Sequence, residues 1–97
     1  MPFSEDNTLI RENQMLKVSN KESMLYFGKF DSIQGQYILT GGANPNEVYL
    51  MDIANRHFAT WYGMKGEIFS GEFSPDNKMV AFGGAEGIVR IYSLELK

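Results

Sequence analysis

Ile68-Phe69-Ser70-Gly71-Glu72-Phe73-Ser74-Pro75-Asp76-Asn77-Lys78-Met79-Val80-Ala81-Phe82-Gly83-Gly84-Ala85-Glu86-Gly87-Ile88-Val89-Arg90-Ile91-Tyr92-Ser93 reads as three short strands joined by two turns. The apolar runs are too short for helices, and each is bounded by residues that turn a chain. In the first turn, Pro75-Asp76-Asn77, proline presets φ while Asp and Asn side chains bond back to their own backbone. In the second, Glu86-Gly87 supplies a residue able to take positive φ. The alternation along Ile88 to Ser93 is incomplete, which predicts strands with protein on both faces.

The same pattern occurs earlier in the chain. Tyr26-Phe27-Gly28-Lys29-Phe30 aligns with Phe69-Ser70-Gly71-Glu72-Phe73, an offset of 43 from position 28 to position 71. Tyr37-Ile38-Leu39-Thr40-Gly41-Gly42-Ala43 aligns with Met79-Val80-Ala81-Phe82-Gly83-Gly84-Ala85 at an offset of 42, from 37 to 79. Val48-Tyr49-Leu50-Met51-Asp52-Ile53 aligns with Val89-Arg90-Ile91-Tyr92-Ser93-Leu94 at an offset of 41, from 48 to 89. The two drops fall in the loops 32–36 and 44–47, where an extra residue costs little because loop closure depends weakly on length. Strands are expected at 15–18, 25–30, 37–41, 48–53, 58–62, 68–73, 79–83 and 89–94. The segment 1–14 reads as irregular or a remnant hairpin, since Phe3 to Ile10 echoes Phe73 to Val80 out of period. Residues 15–56 form a first repeat and residues 57–97 a second.

Ninety-seven residues allow one small domain, and 43% apolar residues with 22% charged ones suit a folded soluble chain. A net charge of −3 with scattered Lys and Arg offers no stripe that could neutralise a run of phosphates, so nucleic acid is not expected as a direct ligand. No run approaches the roughly 20 apolar residues that cross a bilayer, and the polar N-terminus does not read as a secretion signal. With no cysteine, neither a disulfide nor a thiolate metal site can form, which favours an intracellular setting, cytoplasmic or nuclear.

The repeat resembles the WD-repeat β-propeller family over about residues 18–94. Ile68 to Ser93 is similar, almost position for position, to the family's inner strand, "FSPDG" turn, "LASGS" strand, "DG" turn and "VRIWD" strand. The spacing agrees with a period of about 40–45 residues, four strands to a blade. The naming pair is replaced by Met51-Asp52 and Tyr92-Ser93, and the "GH" pair by Gly63-Met64 and Asn20-Lys21. The hydrogen-bond relay built on His and Trp therefore cannot form, and packing must brace these blades. The resemblance implies an all-β fold of two four-stranded antiparallel blades, a partial propeller whose second blade lacks its own outer strand. Such rings need about 4–8 blades, so apolar faces and strand edges are left for something else to cover. The partners it implies are other protein chains: remaining blades, homo-oligomer copies or complex subunits. The alternative is a self-contained small barrel or sandwich that binds a small ligand.

No chemistry stands out. Ser70, His57 and Asp52 lack an elbow or oxyanion signature and fall on different strands, so no catalysis is expected. His57 is the single histidine, and no metal or cofactor is expected. Glu47, Glu67, Glu72 and Glu86 are spaced as a solvated surface. Gly28 and Gly71 would lie on innermost strands, where room is short. In the family, the loops between outer and inner strands and the second hairpin turn contact partners most often. Carried over, that face holds Asn44, Asn46, Met64, Lys65, Glu67 and Glu86, with Trp61 and Tyr62 as aromatic candidates on the outer strand.

Overall fold

The computed structural model describes residues 23–53 and 56–95. Among them there are two antiparallel sheets and no helix, hence none long and apolar enough to cross a membrane. β1 (Met24–Phe30), β2 (Tyr37–Ala43), β3 (Val48–Asp52) and β4 (Arg56–Trp61) form a four-stranded meander in chain order. β5 (Ile68–Phe73), β6 (Met79–Gly84) and β7 (Val89–Ser93) form a three-stranded one. β5 has the bounds expected from sequence. β2 and β6 run on through Gly42 and Gly84, while β3 and β7 stop one residue sooner than expected. β4 starts at Arg56 instead of 58 because its pairing continues past a bulge at Leu50/Met51 to Asp52↔Arg56. The expected strand 15–18 and the remnant hairpin in 1–14 lie outside the described residues.

The two sheets repeat in register as the chain repeats in sequence. On β1, Leu25 pairs with Gly42 and Phe27 with Gly41, leaving Tyr26 as an extra residue in a bulge. On β5, Ile68 pairs with Gly84 and Ser70 with Gly83, leaving Phe69 in the same role. The two bulged rings meet with centroids 5.3 Å apart. The glycines beside them are obligatory: a Cβ on Gly42 would fall 1.8 Å from the Met24 carbonyl oxygen, and one on Gly84 1.9 Å from that of Glu67. The matching turns after β1 and β5 each contain one residue of positive φ, Gly35 at 64° and Asn77 at 61°.

The sheets pack face to face, with β5 lying over β1 and β2. Tyr37, Leu39, Val48 and Leu50 of the first sheet meet Phe73, Val80 and Phe82 of the second, with Met64 and Ile68 closing one end. Leu39, Val48 and Leu50 have no exposed surface. Burying each such side chain contributes about 1.5–3 kcal/mol, so this layer dominates the stability of the described structure. Gly71 is as crowded as expected, since a Cβ there would stand 2.6 Å from the Phe27 ring. Gly28 is not: nothing lies within 4 Å of its missing Cβ, because its side of β1 faces away from the second sheet.

Candidate functional site

A buried carboxylate gathers six hydrogen-bond donors. Asp31 follows β1 and turns the chain back into β2. Its Oδ1 accepts from the backbone N–H groups of Ile33 (3.0 Å), Gln34 (2.6 Å) and Gly35 (3.0 Å), and its Oδ2 from those of Gln36 (2.7 Å) and Tyr37 (2.9 Å). From the second sheet, Asn77 Nδ2 donates to Oδ1 at 3.0 Å, and Asn77 Oδ1 accepts from the Ser32 N–H at 2.8 Å. Burial pushes the Asp31 carboxyl up. The bonds from Asn77, Tyr37, Gln34 and Ile33 outweigh it and hold the group well below the usual carboxylate range. With its lone pairs occupied and its charge fixed, Asp31 is a tie between two turns, not a proton carrier. An open groove of about 660 Å³ runs beside it, lined by Ile33, Gln34, Asp76, Lys78 and Leu94 among others.

The opposite end gathers the sequence-derived candidates. Gly41 pairs with Val48 and Val48 with Trp61, so the turn 44–47 and the linker 62–67 leave the first sheet on the same side. The linker then lies against the turn 85–88, where a Cβ on Gly66 would stand 3.0 Å from that of Ala85 and the Ala85 N–H donates to the Glu67 carbonyl at 2.8 Å. Asn44, Lys65 and Glu67 are exposed there, Asn46 is half-buried, and Tyr62 has 71% of its surface open. Glu86 is half-buried and accepts from Arg90 Nη2 at 3.2 Å. The Arg90 guanidinium, and after it the Lys65 backbone N–H, lower the Glu86 carboxyl, while Glu86 raises Arg90.

Met64 and Trp61 are placed differently. Met64 is buried in the core at 7% exposure. Trp61 reaches across to the second sheet, with ring centroids 5.6 Å from both Phe82 and Tyr92. Both side chains stabilise the sheet junction, Met64 buried and Trp61 partly so. Trp61→Leu is therefore expected to cost about 1–2 kcal/mol in a denaturant titration through lost ring contacts. Asp52 is buried in β3 and Ser70 is exposed on β5, in different sheets. Among the described residues no group of three or more His, Asp or Glu is placed to hold a metal ion.

An open apolar surface lies where no sequence motif marks one. Val80, Phe82 and Tyr92 point into the core, so the alternate residues of β6 and β7 point away from it. Met79 pairs with Ser93, Ala81 with Ile91 and Gly83 with Val89, which puts them on a single face. Met79 is 44% exposed, Ile91 63% and Val89 69%. Their counterparts one repeat earlier, Tyr37, Leu50 and Val48, are all buried beneath the second sheet. Beside this face an open hollow of about 590 Å³ is lined by Ser70, Glu72, Ala81, Ile88 and Val89 among others. Comparison of the sequence with protein-family models and with characterised proteins found no match.

Proposed function

We propose that the chain is a segment of a WD-repeat-like β-propeller and works as a non-enzymatic platform for protein–protein interaction, its second sheet covered by another protein chain. One observation carries the reading. The face that β2 and β3 bury under the neighbouring sheet is repeated on β6 and β7, where none of the described residues packs over it. An apolar sheet face of this kind marks an interaction surface in a soluble protein. The matched bulges, glycine pairs and turn residues support treating the two sheets as copies of one blade. In this reading the loops 44–47, 62–67 and 85–88 form a mixed-charge rim, suited to holding a partner's register and unsuited to gripping phosphate. An intracellular setting, with no direct nucleic-acid or membrane contact, goes with the absence of cysteine and of any basic stripe.

Charging the open face should lower self-association without unfolding the chain. Between about 5 and 200 μM, wild type is expected to gain apparent mass in sedimentation velocity, while Val89→Lys and Ile91→Asp stay at monomer mass with stability within about 0.5 kcal/mol. A loss of several kcal/mol in those variants would mean that the face is already packed inside a closed fold, and the reading would fail.

A further inference from the structure

We propose that Ser74 is a phosphorylation site for a proline-directed protein kinase, and that its phosphate takes in the second turn the place the Asp31 carboxylate holds in the first. The turns after β1 and β5 repeat one another. Asp31 and Ser74 directly follow the aligned Phe30 and Phe73, an offset of 43 from 31 to 74. The Asp31 N–H donates to the Tyr37 carbonyl at 2.9 Å, and the Ser74 N–H to the Met79 carbonyl at 2.9 Å. In the first turn the N–H groups of Gln36 and Tyr37 converge on Asp31 Oδ2. Their counterparts, Lys78 and Met79, donate at 3.0 Å to Asp76 Oδ1 and to Ser74 Oγ. One carboxylate does in the first turn what a hydroxyl and a carboxylate share in the second.

An anion's donors therefore surround a neutral hydroxyl at position 74. A phosphoserine there carries about −1.5 to −2 charge at neutral pH and three acceptor oxygens, enough for both N–H groups. Asp76 is exposed, so its side chain can turn into solvent once the Ser74 hydroxyl no longer donates to it. The three prolines of the chain follow Met1, Asn44 and Ser74, which makes Ser74 its single Ser or Thr ahead of a proline. Proline keeps the residue before it extended, and kinases of this class read a serine by the proline that follows. In the transfer a bond forms between Ser74 Oγ and the γ-phosphorus of ATP, and the bond from that phosphorus to its bridging oxygen breaks. ADP leaves, and the hydroxyl proton passes to the kinase's catalytic carboxylate. At the first turn the anion also accepts from Asn77 of the neighbouring sheet at 3.0 Å. Phosphorylation gives the second turn an acceptor of the same kind, under the control of a kinase.

Folded protein is incubated with ATP and a proline-directed kinase, beside a peptide of residues 70–80. One phosphate should enter the folded chain, and fragment masses should place it on Ser74. Ser74→Thr, which keeps the hydroxyl, should accept it at the same position, and Pro75→Ala should lose it. In NMR spectra of the modified protein the amide protons of Lys78 and Met79 should move downfield as they turn to the phosphate oxygens, while those of Gln36 and Tyr37 stay in place. A folded chain that takes no phosphate at Ser74, whether or not the peptide does, overturns the site. Phosphate on Ser74 with the Lys78 and Met79 amides unmoved overturns its equivalence to Asp31.

Discussion

Gly84→Ala is expected to unfold the three-stranded sheet. The bulge at Phe69 draws the start of β5 close to the end of β6, and a Cβ on Gly84 would overlap the Glu67 carbonyl oxygen at 1.9 Å and crowd Ile68 Cα at 2.8 Å. The obstacle is backbone, which cannot swing aside as a long side chain does. Moving it would also break the bond from the Ala85 N–H to that same carbonyl. A cost of at least about 4 kcal/mol follows, most of the stability of a domain this small. Gly42→Ala is expected to do the same to the first sheet through the Met24 carbonyl. Gly28→Ala, in open space, should stay within about 0.5 kcal/mol. Urea titrations of the three variants decide the matter; equal stabilities would mean that the bulges do not lie at Tyr26 and Phe69.

Asp31→Ala should cost about 3–5 kcal/mol, because it strands buried N–H donors and uncouples the turn 31–36 from Asn77. Asn77→Ala removes the link between sheets and also strains the turn, because alanine fits the positive φ at 77 less well than asparagine, and should cost about 2–3 kcal/mol. Asp31 also sets a pH dependence. Its folded-state carboxyl is depressed, so the stabilisation is complete above the unfolded value of about 4 and is lost as pH falls toward the folded value. Wild type should therefore weaken progressively below about pH 5, with Asp31→Asn less stable at neutral pH and flatter in acid. Asp76 and Glu86 are lowered too, by Ser74 and Arg90 respectively, so the slope shrinks without vanishing. A slope unchanged by Asp31→Asn would show that the carboxylate is not buried in this network.

Much of the architecture was legible because its signals are local. Pro75-Asp76-Asn77 and Glu86-Gly87 mark turns by their own chemistry, and the slip of the repeat from 43 to 41 located both loops that hold an extra residue. Gly41-Gly42 and Gly83-Gly84 could be recognised as strand ends, yet the reason for glycine there is an approach between strands, which no single-strand pattern contains. Asp31 carries no signal in the sequence for the same reason. Its importance lies in six donors converging after the turn closes, and in sequence it is one more acidic residue before a glycine-containing loop. In a linear reading Trp61 is an aromatic candidate and Met64 a loop-face residue; the packing of one sheet on the other shows Met64 buried and Trp61 partly so. The open face of Met79, Val89 and Ile91 was implicit in the alignment with Tyr37, Val48 and Leu50, but which copy is covered depends on the order in which the sheets stack.

The chain has no cysteine, so single thiols can report on the two equivalent faces without background. Leu50→Cys and Ile91→Cys occupy the same repeat position, one buried beneath the second sheet and one open. In dilute native solution the thiol at 91 should react with a maleimide at nearly the rate of a free thiol, and the thiol at 50 at least about 100-fold more slowly, since it reacts only through opening of the fold. Comparable protection of both positions in the monomer would contradict the claim that the second sheet repeats the first with its cover missing.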